Sequence, residues 1–522
     1  MKILFIWPNK DIFGFKPIGL SILSGIAKSL GWETRLFDTT EIDLGFIDNR
    51  ESGQQAKFFK PVDLSAYDMT KKKVDLREAF LKVLQEFQPD ALGFSARSDE
   101  GIIAGELSKI AKTAFPSLPI IWGGKSPTID PEQVLTEFHA DFACVAEGLG
   151  AFREWLIHFG DSLKWRNIPN IWWKDEEGVH KNPIAPLISD LDGLPYADWD
   201  IFDKRHFIKL FDGKAYVGGD HMLNWGCPYH CTYCINHFFH DLYDNNYFMR
   251  RYSIPRIIKE LKYLKEKHDL EFLRFHDEDF LMRPLENLRE LSEEYSKEIG
   301  LPFVIETNPK SVTREKVALL KQMNCVSASV AIESGDPQVR KNLLTRVDTE
   351  EDVTRAFPLF HEFGIRTSSF NLLAIPYESR DKYMRTVELN RSAKVQYPSI
   401  GFFFPFEGTE LRRISIEGGF FDPNDHERTY RHDRPALKFT DLSEQELIEM
   451  RNVFVLYVKL PKSLWPFIRR SEQLDQCGNT LRLELLDFYD HTVWSNDGFY
   501  RGEENPQELR QRLEALYPAG SQ

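Results

Sequence analysis

The chain has 522 residues, of which 42% are hydrophobic and 28% charged, a globular composition too long for one ordinary core, so two or three domains are expected. Its formal charge of -14 argues against a general electrostatic grip on nucleic acid, and no nucleic-acid partner is expected. The first residues lack a signal-peptide pattern, no apolar run reaches membrane-spanning length, and three of the six cysteines lie singly, which predicts a reduced, cytoplasmic protein without a membrane span.

Residues 1–165 alternate apolar runs of strand length with segments of helical spacing. The runs include KILFIW, DALGFS, LPIIWGG and DFACVAEG, and GIIAGELSKIAKTAF is a helical segment among them. This pattern predicts a doubly wound, Rossmann-like α/β domain, whose ligands would lie beyond the carboxyl ends of its strands. The residues that stand at those ends are Ser95, Gly123, Gly124 and Glu147. A polar insertion at about residues 41–73 interrupts the alternation and is predicted to be a loop or a lid.

The rest of the chain divides into three further segments. Residues 166–214 contain a predicted hairpin around Glu177 and an irregular connector. Residues 215–411 carry a second series of six strand and helix pairs, which predicts a partial, open (β/α)6 barrel. Residues 412–522 are mostly helical in pattern and are predicted to cover the barrel mouth and select the substrate.

The stretch NWGCPYHCTYCINHFF places Cys227, Cys231 and Cys234 on one short segment. Three thiolates at this spacing can converge on one metal centre, and the segment lacks the fourth cysteine that ferredoxin clusters use. A structural zinc site usually has four ligands in two separated pairs, whereas His230 and His237 lie inside the same segment. The pattern therefore favours an iron-sulfur cluster with an open position over a zinc site or three incidental thiols.

The CPYHCTYC pattern, with the aromatic Tyr233 before its last cysteine, resembles the radical S-adenosylmethionine (SAM) superfamily. The resemblance implies that Cys227, Cys231 and Cys234 ligate three irons of a 4Fe-4S cluster, while the amino and carboxylate groups of SAM chelate the fourth iron. It also implies an electron donor such as flavodoxin or ferredoxin, and a 5'-deoxyadenosyl radical that abstracts a hydrogen atom from the substrate. Radical abstraction needs no general base, so no catalytic residue is assigned.

Motifs downstream of the cysteines extend the resemblance. FHDEDF resembles the acidic segment after the second barrel strand, and AIESGDPQVRKNLLTR resembles the fourth-strand segment that contacts SAM. NLLAIPYESRDKY resembles the fifth-strand turn, although Ala374 stands where glycine is usual and Ser379 where threonine is usual. The SAM-binding residues expected on this basis, with Asn308 at the end of the third strand, are Tyr233, Asp277, Glu278, Asp279, Asn308, Glu333, Ser334 and Arg346.

The amino-terminal domain resembles the cobalamin-binding domain that precedes the barrel in one branch of this superfamily. The segments that carry the resemblance are PIGLSILSGIAKSLGWETRLFD, GFSARSDE, IIWGGKSPTIDPEQVL and DFACVAEG. The corrin-side residues that it implies are Ser95, Arg97, Gly123, Gly124 and Glu147. None of the 14 histidines follows an aspartate by two positions, so cobalamin is not expected to exchange its lower ligand for a histidine of such a motif.

The two resemblances together imply a cobalamin-dependent radical SAM enzyme that methylates an unactivated carbon of a small-molecule, lipid or peptide substrate. The first alternative is a radical oxidation, cyclisation or rearrangement, with cobalamin as a spectator or absent. A radical modifier of transfer RNA would need a second set of cysteines, and the remaining three are scattered. A non-catalytic iron-sulfur or corrin-binding sensor is the last alternative, and the open iron position argues against it.

Overall fold

The computed structural model describes residues 1–12, 14–46, 49–97, 100–244, 249–425, 430–502 and 506–516. Contacts divide the chain into two compact units. The first unit comprises Met1–Asp48, Val62–His276 and Phe406–Glu410, and the second comprises Asn49–Pro61, Asp277–Pro405 and Leu411–Gln522. The domain boundaries at residues 165, 214 and 411 stay predictions, and the last predicted segment includes 426–429, 503–505 and 517–522, outside the described residues.

The helices and strands are numbered here in chain order. Those up to the second barrel strand are β1 (Lys2–Trp7), α1 (Ile18–Ser29), β2 (Glu33–Asp38), α2 (Asn49–Gln55), α3 (Leu76–Phe87), β3 (Ala91–Ser95), α4 (Gly101–Ala114), β4 (Ile120–Gly123), α5 (Lys125–Ile129), α6 (Pro131–Thr136), β5 (Phe142–Cys144), α7 (Leu149–Ile157), α8 (Ser162–Trp165), β6 (Ile171–Asp175), β7 (Gly178–His180), β8 (Ile208–Phe211), β9 (Lys214–His221), β10 (Asn224–Trp225), α9 (Ile235–Leu242), β11 (Arg250–Arg251), α10 (Ile254–His268) and β12 (Phe272–Phe275). Those that follow are α11 (Leu285–Glu298), β13 (Phe303–Thr307), α12 (Arg314–Gln322), β14 (Cys325–Glu333), α13 (Glu350–Glu362), β15 (Arg366–Leu373), α14 (Arg380–Ser392), β16 (Tyr397–Pro398), β17 (Gly401–Phe402), α15 (Glu410–Glu417), α16 (Glu444–Asn452), α17 (Phe454–Lys459), α18 (Trp465–Ser471), α19 (Gln476–Thr492) and α20 (Pro506–Leu516).

A seven-stranded sheet in the first unit has the order β2-β1-β3-β4-β5-β6-β7. Strands β1 to β5 are parallel, and the predicted hairpin, β6 and β7, extends the sheet in antiparallel fashion. The parallel strands are apolar because helices cover both faces of such sheets. Trp122 on β4 is fully buried and stacks on Phe94 of β3, with ring centroids 5.0 Å apart. This arrangement confirms the doubly wound α/β domain.

The second series of strands begins in the first unit and continues in the second. In the first unit β9 pairs with β8 in antiparallel fashion and with β12 in parallel, while β10 and β11 form a separate two-stranded ribbon. In the second unit β13, β14, β15 and β16 pair in parallel in that order, and β17 also pairs with β15. A helix follows each strand from β12 to β15, which is the alternation that the sequence predicts for a partial barrel.

The last part of the second unit is helical, as predicted. Helix α16 begins at a capping box, in which the Ser443 side chain accepts from the Glu446 backbone and Glu446 accepts in return. Residues of α16 to α20 pack into one apolar core with residues of β15 and α14. Residues 49–61 of the polar insertion belong to this unit, where Lys57 forms an ion pair with Asp490 at 2.7 Å. No helix in the described ranges is both long and apolar enough to cross a membrane.

Candidate cofactor site

Gly124, directly after β4, lies against the loop that follows β3. Its φ is +99°, a backbone conformation that favours glycine, and a Cβ added there would lie 2.7 Å from the Ala96 carbonyl oxygen. The Ala96 N–H donates to the Gly123 carbonyl at 3.2 Å, and its carbonyl accepts from the Ser126 N–H at 3.2 Å. A side chain at position 124 would force these two loops apart. The glycine at position 124 therefore allows the loops after β3 and β4 to pack closely at the carboxyl ends of these strands.

The same edge of the sheet continues to β5. The Thr128 hydroxyl donates to the Gly124 carbonyl at 2.7 Å and accepts from the Ala146 N–H at 3.0 Å. Ala146 precedes Glu147, so the loops after β4 and β5 are joined through one hydroxyl. The structure thus gathers Ser95, Gly123, Gly124 and Glu147 along one edge, as the strand order of a parallel sheet requires.

Arg97 lies two residues after β3 and folds back on its own loop. Its Nε donates to Glu100 Oε1 at 3.1 Å, and its backbone N–H donates to Glu100 Oε2 at 2.9 Å. The Glu100 side chain is 1% exposed, whereas that of Arg97 is 51% exposed. Residues 98–99 of this predicted segment lie outside the described residues. Arg97 therefore closes the loop and presents part of its guanidinium to solvent.

Glu147 is part of a buried polar network. Arg250 Nη1 and Nη2 contact Glu147 Oε1 and Oε2 at 3.0 and 2.7 Å, and the Ile188 N–H donates to Oε1 at 2.8 Å. The Glu147 N–H donates to the Tyr243 hydroxyl at 3.1 Å, and its carbonyl accepts from Asn170 at 2.8 Å. Because Arg250 lies on β11, this network joins the end of β5 to the ribbon that leads into the cysteine segment.

The three cysteines lie between β10 and α9, and in the described part of the chain none of them is in a disulfide. Cys227 is buried, while Cys231 and Cys234 are partly exposed. Gly226, with φ +91°, turns the chain into the segment, and the Cys234 N–H donates to the Cys231 carbonyl at 3.0 Å just before α9 begins. Three cysteines on one short segment, two of them partly exposed, suit a cluster held by three thiolates.

Histidines hold the cysteine segment from the side of α9. His240 Nε2 donates to the Cys227 carbonyl at 2.8 Å, and its ring stacks on that of His230 with centroids 3.9 Å apart. His237 Nδ1 donates to the His230 carbonyl at 3.2 Å. Burial lowers the pKa of His240, so it is held as a neutral donor. His240 was not predicted from the sequence, although its position on the helix directly after the cysteines was an available signal.

The buried side chain of Asn224, three residues before Cys227, is a sign that this region can hold a bound group. Its side chain is 1% exposed, and within the described residues neither Nδ2 nor Oδ1 has a hydrogen-bond partner. Leaving a buried donor or acceptor unsatisfied costs about 1–3 kcal/mol, so such groups are rare unless a ligand completes them. The orphaned carboxamide of Asn224 therefore fits a site built around a bound cofactor.

The acidic triplet after β12 has three different environments. Asp277 is fully buried, whereas Glu278 is exposed. Asp279 is 2% exposed and accepts from the hydroxyls of Thr307 and Ser311, each at 2.6 Å. Asp279 therefore holds the end of β13 in place. The carboxylates of Asp277 and Glu278 do not make these two contacts.

Asp348, which was not predicted from the sequence, binds two predicted SAM-binding residues, and a third lies beside one of them. Arg346 Nε donates to Asp348 Oδ1 at 2.9 Å, and Asn308 Nδ2 donates to the same oxygen at 3.2 Å. Arg346 Nη1 lies 3.8 Å from Glu333 Oε1, and Arg340 also pairs with Asp348. Glu333 has φ +66°, at the end of β14. The fourth-strand motif is thus a preformed charged cluster rather than separate side chains. Ser334, the remaining predicted residue, is 3% exposed and follows Glu333.

A second charged cluster, also unforeseen, surrounds Asp220 at the end of β9. Lys209 Nζ lies 2.5 Å from Asp220 Oδ2, His276 Nε2 donates to Oδ1 at 3.1 Å, and the Lys16 backbone N–H lies 3.3 Å from Oδ2. Burial raises the pKa of Asp220, but the Lys209 charge and the His276 hydrogen bond outweigh burial and hold this pKa well below its usual value. The loop after β1 is thereby fastened to the ends of β9 and β12. Lys16 Nζ lies 3.6 Å from the centroid of the Phe207 ring.

Two family models match the chain. The B12 binding domain matches residues 14–156, and the Radical SAM superfamily matches residues 225–389. Cytidylyl-2-hydroxyethylphosphonate methyltransferase of Streptomyces wedmorensis is 23% identical over 466 residues, which cover 81% of this chain and 83% of that protein.

Solved structures with the same fold include two enzymes. OxsB, a cobalamin-dependent S-adenosylmethionine radical enzyme, is similar with a TM-score of 0.63 at 14% identity, over 99% of this chain and 75% of that chain. TsrM from Kitasatospora setae, a radical S-adenosylmethionine methyltransferase solved with cobalamin and a 4Fe-4S cluster bound, has a TM-score of 0.58 at 15% identity, over 80% and 74% of the two chains. At these identities the two similarities concern the fold.

Proposed function

We propose that this chain, which is a radical SAM enzyme carrying a B12-binding domain, is a methyltransferase that acts on an unactivated carbon of a small-molecule, lipid or peptide substrate. Its cofactors are a 4Fe-4S cluster, SAM and cobalamin. The relative of Streptomyces wedmorensis, which shares most of its length with this chain, is a methyltransferase. When bound, these groups supply a methyl donor and a 5'-deoxyadenosyl radical for hydrogen abstraction from the substrate.

The observation that carries the proposal is the contact of Glu147 with Arg250. The first residue follows β5 of the B12-binding domain, and the second lies on the ribbon that leads into the cysteine segment. Methylation through two cofactors requires both to be held in a fixed relation to one substrate carbon, because misplacement of about 1 Å is costly. A buried ion pair between the two supporting loops supplies that rigidity.

Separate sets of residues would hold the cofactors. Cys227, Cys231 and Cys234 would ligate the cluster, and SAM would take the remaining iron position. The side chains proposed for SAM are Tyr233, Asp277, Glu278, Asn308, Glu333, Ser334 and Arg346. Asp279 and Asp348 would position that set, since both already bind neighbouring side chains. A reductant of the flavodoxin or ferredoxin class would supply the electron.

On the corrin side, Ser95, Gly123 and Gly124 would form the surface along the edge of the sheet, with Arg97 at its exposed end. Glu147 would act here as a positioning residue, because Arg250 and the Ile188 N–H already occupy its carboxylate.

A second candidate is a radical oxidation, cyclisation or rearrangement on the same architecture. OxsB, a cobalamin-dependent S-adenosylmethionine radical enzyme, has this fold. The two candidates share the cluster and the radical, and they differ in whether a methyl group leaves SAM and reaches the substrate.

Anaerobic reconstitution tests the cofactor set. We expect about four irons with matching sulfide and one corrin per chain. Cys234→Ala should lose most of the iron, whereas Cys477→Ala, a partly exposed cysteine of the helical region, should retain it. Zinc without sulfide, or no corrin uptake by the intact protein, would contradict the proposal.

A further inference from the structure

Arg451, near the end of α16, is a buried cation whose partners are few. Its side chain is 5% exposed, and its Nη2 lies 2.9 Å from the Ser52 hydroxyl and 3.3 Å from the Ser52 carbonyl. The rings of Phe58 and Phe402 lie 5.1 and 5.7 Å from the guanidinium carbon. Burial lowers the pKa of Arg451 to about 10, so the group is still charged at neutral pH.

Other arginines of the second unit are satisfied differently. Arg380 donates to both carboxylate oxygens of Glu472, at 3.1 and 2.5 Å, and Arg482 pairs with Glu449 at 2.5 Å. Arg391 Nη1 contacts three backbone carbonyl oxygens at 2.7–2.8 Å. Each of these guanidinium groups therefore has a carboxylate or several carbonyls within reach.

No carboxylate pairs with Arg451 among the described residues. Asp433 is the acidic group whose charge acts on Arg451, but its own oxygens accept from Arg431 Nε and Nη2 at 2.9 and 3.1 Å. The Nε of Arg451 is sealed from solvent and donates to no atom of the described chain. Its one polar partner, Ser52, is neutral, and the Ser52 hydroxyl itself donates to the His432 carbonyl.

A buried charge without a counter-ion is strongly disfavoured, and arginine is almost never fully buried unless it is paired. The guanidinium fork matches carboxylate and phosphate oxygens in a bidentate manner. Phe402, whose ring faces Arg451, ends β17, and ligands of parallel strands lie at their carboxyl ends.

We propose that Arg451 is the anion-binding subsite of the substrate pocket and that it takes a carboxylate, phosphate or phosphonate group of the substrate. This inference rests on the proposed function, since it assigns part of the substrate of that reaction. The aromatic side chains near this point suit an organic body attached to the anion, because the Phe404 and Tyr430 rings lie 5.5 Å apart and the Tyr430 and His432 rings 4.8 Å apart. Helix α2 of the polar insertion would then help to form the pocket through Ser52.

Isothermal titration calorimetry of the anaerobically reconstituted full chain tests the subsite. Inorganic phosphate and acetate are titrated separately at constant ionic strength. The wild type is expected to bind at least one of them at one site per chain, and the tighter of the two identifies the class of anion. Arg451→Gln should weaken binding at least about tenfold, and Arg451→Lys should lie between, because it keeps the charge and loses the fork.

Arg510→Gln is the matched control, because it removes the same charge from an exposed pair with Glu514 in the same unit, and it should bind like the wild type. Thermal unfolding checks each variant, and if Arg451→Gln does not fold, the comparison of Arg451→Lys with the wild type decides. Binding of neither anion by the wild type, or equal binding by the Arg451 variants, would overturn the subsite and leave Arg451 as a clamp for α2.

Methyl transfer from SAM to the corrin is scored in a separate assay without substrate. Absence of anion binding by the wild type beside intact methyl transfer would refute the subsite alone. Intact anion binding beside absent methyl transfer would refute the proposed function alone.

Discussion

The Glu147 carboxylate is held by both terminal nitrogens of Arg250, at 3.0 and 2.7 Å, with the side chains 11% and 4% exposed. The pair connects the loop after β5 of the B12-binding domain to the ribbon of β10 and β11, the two strands that flank the cysteine segment in the chain. Glu147 was expected on the corrin side, and the structure shows that its oxygens already have partners inside the protein. Its contribution to cofactor binding would thus pass through the loops that it joins.

Breaking this pair from one side leaves an uncompensated buried charge. Arg250→Met should therefore lower the free energy of unfolding by about 3–5 kcal/mol, and combining it with Glu147→Gln should cost less than the sum of the single changes. Corrin retention, measured by absorbance after gel filtration, should fall in each single variant. The exposed pair of Arg413 with Glu417 is the control, and Arg413→Gln should change stability by less than about 0.5 kcal/mol. Strict additivity with unchanged corrin retention would refute the coupling.

Gly124→Ala tests whether corrin binding needs the close packing of the loops after β3 and β4. The new Cβ would lie 2.7 Å from the Ala96 carbonyl oxygen at a φ of +99°, so we expect loss of corrin binding together with a stability loss of at least about 1 kcal/mol. Gly31→Ala is the matched control, because Gly31 also has a positive φ, +80°, but no atom lies within 4 Å of its added Cβ. The control should show the strain and keep the corrin. Equal corrin binding in both variants would show that the edge at Gly124 is not used.

Asn224→Leu should act in opposite directions on the two states of the protein. Without cofactors the change removes two unsatisfied polar atoms, so the free energy of unfolding should stay the same or rise by up to about 3 kcal/mol. With cofactors it removes their partner, so retention of cluster iron or of corrin should fall. Denaturant unfolding and metal analysis measure the two effects. A less stable apoprotein with normal cofactor content would show that Asn224 serves only the fold.

The lowered pKa of His361 should make the stability of the second unit depend on pH. Burial and the charges of Lys459 and Lys394 lower its pKa from 6.5 to about 4, while Nε2 lies 2.8 Å from the Thr367 hydroxyl. Because the unfolded chain binds this proton more readily, its contribution to stability is full above about pH 6.5 and is lost as the pH falls towards 4.

The loss should be about 1–2 kcal/mol, since the ring remains partly solvated. The measurement is the difference in the free energy of unfolding between the wild type and His361→Asn, taken from urea unfolding between about pH 4 and pH 6.5. Parallel curves for the two proteins would mean that His361 titrates normally.

The sequence was sufficient to locate the strand ends and the cysteine segment, which are local in the chain. Strand ends follow from apolar runs and glycines, and three cysteines within eight residues form a motif without any tertiary information. Asp348 and Asp220 were not predicted from the sequence, because the role of a single aspartate depends on partners that only folding brings close to it. Arg346 and Asn308 meet at the first, and Lys209 and His276 at the second.

The polar insertion makes a contact that its composition could not predict. A loop or a lid stays the prediction for the insertion, and its residues 49–61 belong to the second unit and include Ser52, the hydrogen-bond partner of Arg451. Periodicity cannot report such a contact, because α2 has only seven residues and the two partners are 399 positions apart.

Transfer of a methyl group from SAM to cobalamin can be measured directly with methyl-labelled SAM. The reconstituted holoenzyme is reduced under anaerobic conditions and the corrin is recovered and analysed by mass spectrometry. We expect the label to appear on the corrin together with S-adenosylhomocysteine, and 5'-deoxyadenosine to form from a second SAM. Formation of 5'-deoxyadenosine with an unlabelled corrin and no S-adenosylhomocysteine would contradict the account and favour a radical reaction without methyl transfer.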